Sequence, residues 1–364
     1  MTIRVGSLRQ SVAKMESTAR PFTVVSLFSG CGGMDLGFLQ AGFDVIWAND
    51  IDHAACETYK QNLGSHIVEG DIEDISVDQI PSADIIVGGF PCQDFSVVWE
   101  RPGLDGKRGN LYLDLVRTIK AKQPLAFVAE NVRGLVTANQ GKALRKIISD
   151  FENCGAGYSV SYHLYNFADY GVPQFRQRVV ITGIRRDLGV VFVPPKPSHS
   201  ESEYVSVEEA FKGVETVPYN NEKMRMLGKT EEMLKQIPEG KNFSSVRDRN
   251  LKLHLKLPLS LIYRRLDRSK PAYTVVAAGG GGTWSYHYSE PRALTNRERA
   301  RLQTFPDDFV FWGKIGEVRK QIGNAVPPVG AKAVAEQLKR TLASALSNEI
   351  TVSTQSTVHN YLES

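Results

Sequence analysis

The chain predicts an α/β fold: an open, mostly parallel sheet of the nucleotide-binding kind. Three observations predict this. Short β-branched apolar runs recur along the first half, the mark of strands buried on both faces. A glycine-rich turn follows the first run and opens a helix. An acidic residue, Asp50, closes the second run about 20 residues further on, where mononucleotide folds hold ribose hydroxyls.

With 364 residues the chain can hold one large α/β domain and one small one. No apolar run is long enough to span a membrane, and Met1 to Arg20 is a polar, basic stretch read as a loose arm rather than a signal peptide. The four cysteines, Cys31, Cys56, Cys92 and Cys154, form no CxxC pair. That argues against a zinc site or a disulfide framework and for a reducing compartment. Charge is unevenly placed. Pro21 to Ile184 carries 13 Lys and Arg against 19 Asp and Glu, whereas Lys241 to Lys270 carries 9 against 2, a basic stretch suited to a polyanion or to a solvated surface.

The first strand, Thr23 to Phe28, runs into Ser29-Gly30-Cys31-Gly32-Gly33, whose missing side chains let backbone approach a ligand. A second strand, Phe43 to Ala48, ends at Asp50-Ile51-Asp52, and a third, near His66 to Val68, ends at Asp71-Ile72, where a carboxylate can accept an adenine amino proton. The glycine arrangement departs from GxGxxG and no second dinucleotide half follows. The reading is therefore a nucleoside cofactor without a pyrophosphate, such as S-adenosylmethionine.

A fourth strand, Ala83 to Val87, breaks at Gly88-Gly89-Phe90-Pro91-Cys92-Gln93-Asp94-Phe95-Ser96, which holds Cys92 at the carboxyl edge of the sheet. The next strand, Ala126 to Ala129, delivers Glu130 to the same edge, and Leu111 opens the helix between them. Arg176 and Arg178 flank the start of the strand Val179 to Thr182 with period-two spacing, so they share a face and suit a phosphate or a base carbonyl. After Arg186 the pattern turns irregular, with a linker at Pro194-Pro195-Lys196-Pro197 and short helices at Ser206 to Phe211 and Thr230 to Gln236. A glycine run at Gly279 to Gly282 follows, and a last helix runs from Val329 to about Ser347.

In this order the motifs resemble those of the C5-cytosine-specific DNA methyltransferases of the bacterial restriction-modification type. The resemblance covers Phe22 to about Leu338 and includes Phe28 to Gly33, Gly88 to Gln93, Glu130-Asn131-Val132, Gln174 to Arg178, Arg292 to Glu298, Arg301 to Asp307 and Gly323 to Pro327. Departures are small: Asp50 where Glu is usual, Ser29 and Cys31 in place of other small or apolar residues, and Asp94 in place of Pro, a carboxylate that opposes thiolate formation at Cys92.

The resemblance implies a Rossmann-like S-adenosylmethionine-dependent methyltransferase sheet with a smaller, irregular target-recognition domain. Residues 21–186 and the return segment 292–346 form the catalytic domain and 187–291 the recognition domain, with a flexible arm at 1–20 and tail at 347–364. It implies a cofactor site of Phe28, Ser29, Gly30, Cys31, Gly32, Gly33, Asp50, Ile51, Asp71, Ile72, Pro91, Leu111, Asn324 and Val326. It further implies that Cys92 attacks C6 of a flipped-out cytosine while Glu130 donates to N3, that Arg178 binds the base O2, and that Arg176 orders the loop, Glu130 or a phosphate. Gln93, Ser96, Arg247, Arg249, Lys252 and Arg268 are the expected DNA contacts. The expected partners are double-stranded DNA and a cognate restriction endonuclease, with a monomer acting alone. A silent DNA-binding scaffold would not need Cys92, Glu130 and Arg178 together. A tRNA enzyme is disfavoured by the absence of Cys-Phe-Thr, an amino-methylating enzyme by the absence of an Asn/Asp-Pro-Pro-Tyr motif, and an NAD dehydrogenase explains neither Cys92 nor the arginines.

Overall fold

The computed structural model describes residues 20–90, 111–224, 226, 228–246, 262–277 and 285–362, with backbone only from 348 onward. Seven strands form one sheet: β1 (Thr23–Leu27), β2 (Asp44–Asp50), β3 (Ile67–Glu69), β4 (Ile85–Gly89), β5 (Ala126–Val132), β6 (Tyr158–Asn166) and β7 (Gln177–Arg185). Their order is β3-β2-β1-β4-β5-β7-β6. The first five are parallel, and β7 runs against both β5 and β6. Strand order reverses between β1 and β4, where an α/β sheet opens a crevice at its carboxyl edge.

Alternate residues of each strand feed two cores, as the two-residue period requires. Val24, Ile85, Val87 and Val128 pack with Met34 and Phe38 of α1 (Gly33–Gln40), while Val25, Ile86 and Phe127 face the other way, toward Leu115 and Ile119. Helix α2 (His53–Asn62) follows β2, and α3 (Leu111–Lys122), α4 (Gly134–Thr137) and α5 (Lys142–Glu152) follow β4 and β5. The second half supplies α6 (Val207–Phe211), α7 (Gly228–Gln236), α8 (Asn296–Leu302), α9 (Ile315–Asn324) and α10 (Pro328–Leu362). A small separate core of Met233, Leu234, Ile237, Phe243, Ile262, Tyr263 and Tyr286 forms in the second half of the chain. Among the described residues no helix is long and apolar enough to cross a membrane.

Several elements differ from the sequence reading, which named no helix at α2, α4 or α9. Strand β6 was not expected: it is an edge strand whose middle is exposed, so it lacks a clean apolar alternation. Helix α5 was also missed, although Ala143, Leu144, Ile147 and Phe151 fall on one helical face and are all buried. Helix α10 continues to Leu362 instead of giving way to a flexible tail at residue 347, because no glycine or proline interrupts the chain after Gly330.

The return of α10 to the first strand depends on two glycines of α1. A Cβ on Gly33 would stand 2.4 Å from the Val326 carbonyl oxygen, and one on Gly37 would stand 2.5 Å from the Pro328 oxygen and 2.6 Å from the Ala331 Cβ. Gly37→Ala should therefore destabilise the chain by about 1–3 kcal/mol, since backbone must move apart. Gly316→Ala, in α9 with no atom within 4 Å of the new Cβ, should be neutral or stabilising. Thermal unfolding of the two variants checks both directions.

Candidate active site

The cleft is built where β1 runs out. Phe28 and Gly30 both take left-handed backbone, at φ 55° and 56°, turning the chain from β1 into α1. For Phe28 this costs about 1–2 kcal/mol, and tertiary contacts must hold it. The Ser29 amide donates to the Asn49 carbonyl at 2.9 Å, and the Gly30 amide donates to Asp50 Oδ2 at 2.7 Å, so the glycine loop is tied to the end of β2. The second Asp50 oxygen accepts the Asp52 amide at 2.9 Å. Burial pushes the Asp50 carboxyl up, and these amide hydrogen bonds oppose the shift.

A cavity of about 490 Å³ opens over this loop. Phe28, Ser29, Gly30 and Cys31 line it from the loop, Asp50 and Ile51 from β2, and Leu111 from the start of α3. Asn324 and Val326 line it from the return segment. The lining suits an adenosine carrying a cationic group: Phe28, Ile51 and Val326 offer apolar cover, and Asp50 offers a carboxylate for hydroxyls. A Cβ built on Gly30 meets nothing within 4 Å, so open space lies over the loop where a ligand would approach.

Four residues of the expected set do not line the cavity. Gly32 and Gly33 are packing glycines, against Leu63 and Val326 respectively. Asp71 caps a short turn, accepting the Glu73 amide at 3.1 Å, and Ile72 is buried in the core. The sequence reading missed Asp52 and Lys320, which both line the cleft and pair at 2.6 Å, because the contact joins residues far apart in the chain.

At the other end of the cavity Glu130 and Arg178 meet, Nε to Oε1 at 2.8 Å, with both side chains nearly buried. Glu130 lies opposite Gly89 in the β4–β5 register, and Arg178 opposite Val132 in the β5–β7 register, so neighbouring strands present the two groups together. Asn131 donates from Nδ2 to the Phe90 carbonyl at 2.9 Å, which pins the end of β4 to β5. Pro91, Cys92, Gln93 and Ser96 lie outside the described residues.

Arg176 departs from its expected role. It is fully buried and donates to the carbonyls of Val275 (2.9 Å), Gly323 (3.0 Å) and Ala325 (2.8 Å). Burial, then the Arg178 charge, push it well below the usual guanidinium range. Among the described residues its hydrogen bonds go to these backbone carbonyls and none to Glu130, so it ties the β7 entry to the return segment.

Arg268, expected to contact DNA, is engaged within the protein. It donates to Glu239 at 3.0 Å and lies over the Tyr288 ring at 4.9 Å. Arg247, Arg249 and Lys252, like the glycine run, lie outside the described residues. Among the described residues, His53, Glu57 and Glu69 bring donor atoms within 4.8 Å of one another, but Lys60 already holds Glu57 and His53 already holds Glu69.

Beneath the cleft lies Asp35, which the sequence reading also missed. It is fully buried on α1, its oxygens accepting from Ser26 Oγ at 2.7 Å and Tyr59 Oη at 2.8 Å, with no cation paired to it among the described residues. Burial outweighs these hydrogen bonds and pushes its carboxyl up to about 6.

A model of the C-5 cytosine-specific DNA methylase family matches residues 22–340. The type II methyltransferase M.NgoFVII of Neisseria gonorrhoeae is 52% identical over 339 residues, which cover 91% of this chain and 90% of the relative. M.BbvI of Brevibacillus brevis, also a type II methyltransferase, is 44% identical over 87% of this chain and 90% of its own. Among solved structures, an Escherichia coli prophage protein described as a DNA modification methyltransferase superposes with a TM-score of 0.67 at 27% identity, over 88% of this chain and 99% of its own. The Dnmt2 methyltransferase of S. pombe shares the fold, with a TM-score of 0.59 at 16% identity over 89% and 99%.

The Asp35 shift has a measurable sign. The native carboxyl binds its proton more tightly than the unfolded one, whose value is 3.8, so this group's contribution to stability is lost as pH rises from about 4 through about 6. Asp35→Asn should thus stabilise the cofactor-free chain at pH 8, by about 1–3 kcal/mol, with the gain shrinking toward pH 5. Urea denaturation at the two pH values measures it.

Proposed function

Because the chain belongs to the C-5 cytosine-specific DNA methylase family, we propose that it methylates one cytosine within a short duplex sequence through a covalent Cys92 adduct. As a DNA (cytosine-5-)-methyltransferase it uses S-adenosylmethionine, which supplies the methyl group when bound. The observation that carries the proposal is the Glu130–Arg178 pair in the same cavity as the glycine loop, with Glu130 across from the strand that leads to Cys92.

C5 of cytosine is a weak nucleophile until something adds at C6. The Cys92 thiolate forms that C–S bond while Glu130 delivers a proton to N3, so electron density moves to C5. Arg178 hydrogen-bonds the base O2 and, through its contact with Glu130, fixes the direction from which the carboxyl meets N3. Once C5 carries the methyl group, loss of the C5 proton restores the C5–C6 double bond and expels Cys92. Because none of these atoms is reachable in a stacked duplex, the base must flip into the cleft, at a cost of a few kcal/mol that backbone contacts offset.

Residues 187–291 serve as the recognition region, and the basic composition of the stretch after Lys241 suits DNA. The enzyme works as a monomer on bacterial cytoplasmic DNA and protects its target from a cognate endonuclease.

Methyl-labelled S-adenosylmethionine and unmethylated genomic DNA, followed by bisulfite sequencing, test the proposal. Wild type should label cytosine C5 in one short motif, and Cys92→Ala should label none. Glu130→Gln should lose about 10²–10⁴-fold in turnover while still binding cofactor. Wild-type turnover by Cys92→Ala would sink the covalent scheme.

A further inference from the structure

Asp35 is a carboxylate in an expensive place. It is 0% exposed, held by two hydroxyls, and has no paired cation among the described residues. A buried carboxylate normally meets a counter-charge, because leaving water uncompensated is costly. The charged and titratable groups that face it supply none: Tyr59 of α2, the neutral hydroxyl donor; Asp50 of β2, which pushes its carboxyl further up; Cys31 of the glycine loop; and His66, which meets Tyr59 Oη at 3.0 Å. Lys320 of α9, which lines the cleft, pairs with Asp52 at 2.6 Å; on the facing α10, Lys332 turns to Glu336 at 3.7 Å and Lys339 to the Ala41 carbonyl at 3.1 Å.

The cleft floor lies directly above. Ser26, which donates to Asp35, and Met34, its neighbour in α1, both line the cavity. The first turn of α1 reaches the cavity through Met34, and the positive end of the helix dipole disfavours a cation nearby unless an acid in that turn offsets it. Asp35 is that acid. We propose that Asp35 is the buried counter-charge of the cofactor's sulfonium, a positioning residue that makes the cleft prefer the cationic methyl donor over its neutral thioether product. The preference would favour product release after each transfer. This rests on the cleft being the cofactor's site.

Calorimetric titration of the full chain with S-adenosylmethionine and with S-adenosylhomocysteine tests it. At pH 8, Asp35→Asn should weaken the sulfonium ligand about tenfold or more and the thioether less than threefold. Equal losses for the two ligands, or none, would overturn the proposal. A wild-type measurement stands independently of the variant's folding. At pH 6 the sulfonium should displace a proton, so its binding enthalpy should depend on the buffer's ionisation enthalpy, whereas the thioether's should not. No buffer dependence for the sulfonium, or the same dependence for both ligands, would contradict it. Gly30→Val should abolish binding of both ligands; retention of both would overturn the cleft assignment itself, and this proposal with it.

Discussion

Two stretches of backbone meet with no side chain between them, where Gly33 and Gly37 of α1 face Val326 and Pro328 of the return segment. The rest of the site depends on that approach. It brings Asn324 and Val326, nearly three hundred residues beyond the glycine loop, into the same wall as Phe28 and Ile51. Arg176 reinforces it from the far side by holding the Gly323 and Ala325 carbonyls. Hydrogen bonds from a buried guanidinium are costly to break, so this closure is held by geometry that few substitutions preserve.

The closed cleft separates two chemistries along its length. At one end Asp50 and the Asp52–Lys320 pair line the cleft, with the buried Asp35 behind Ser26 and Met34. At the other, Glu130 and Arg178 pair at 2.8 Å, a carboxyl and a guanidinium held side by side. The sheet itself sets the separation, since β1, β2, β5 and β7 deliver these groups from fixed registers. A rigid sheet edge positions such groups more closely than loops would.

Much of this was legible in the residues. The glycine turn, Asp50, Glu130 and Arg178 sit at strand ends, and strands buried on both faces announce themselves by continuous apolar runs. Strand β6 did not, because an edge strand mixes exposed and buried positions. Arg176 and Arg178 share a face by spacing, but spacing cannot say that one turns to buried carbonyls and the other to a carboxylate. Nor could it give Asp35 its significance: two residues beyond the last glycine of the turn it looks like an ordinary helix-start acid, and only burial without a cation sets it apart. Arg268 is a similar case, since its pairing with Glu239 and Tyr288 arises from tertiary structure.

The central claim is that this cleft acts on cytosine through a covalent bond from Cys92. The most direct measurement replaces the target hydrogen: duplex DNA carrying 5-fluorocytosine at the methylated position, incubated with enzyme and S-adenosylmethionine, then intact mass and peptide mapping. Fluorine cannot leave C5 as a cation, so the adduct should persist, with a mass equal to enzyme plus oligonucleotide plus one methyl group, mapping to Cys92. Methyl transfer to ordinary cytosine with no such adduct on the fluorinated duplex would contradict the account.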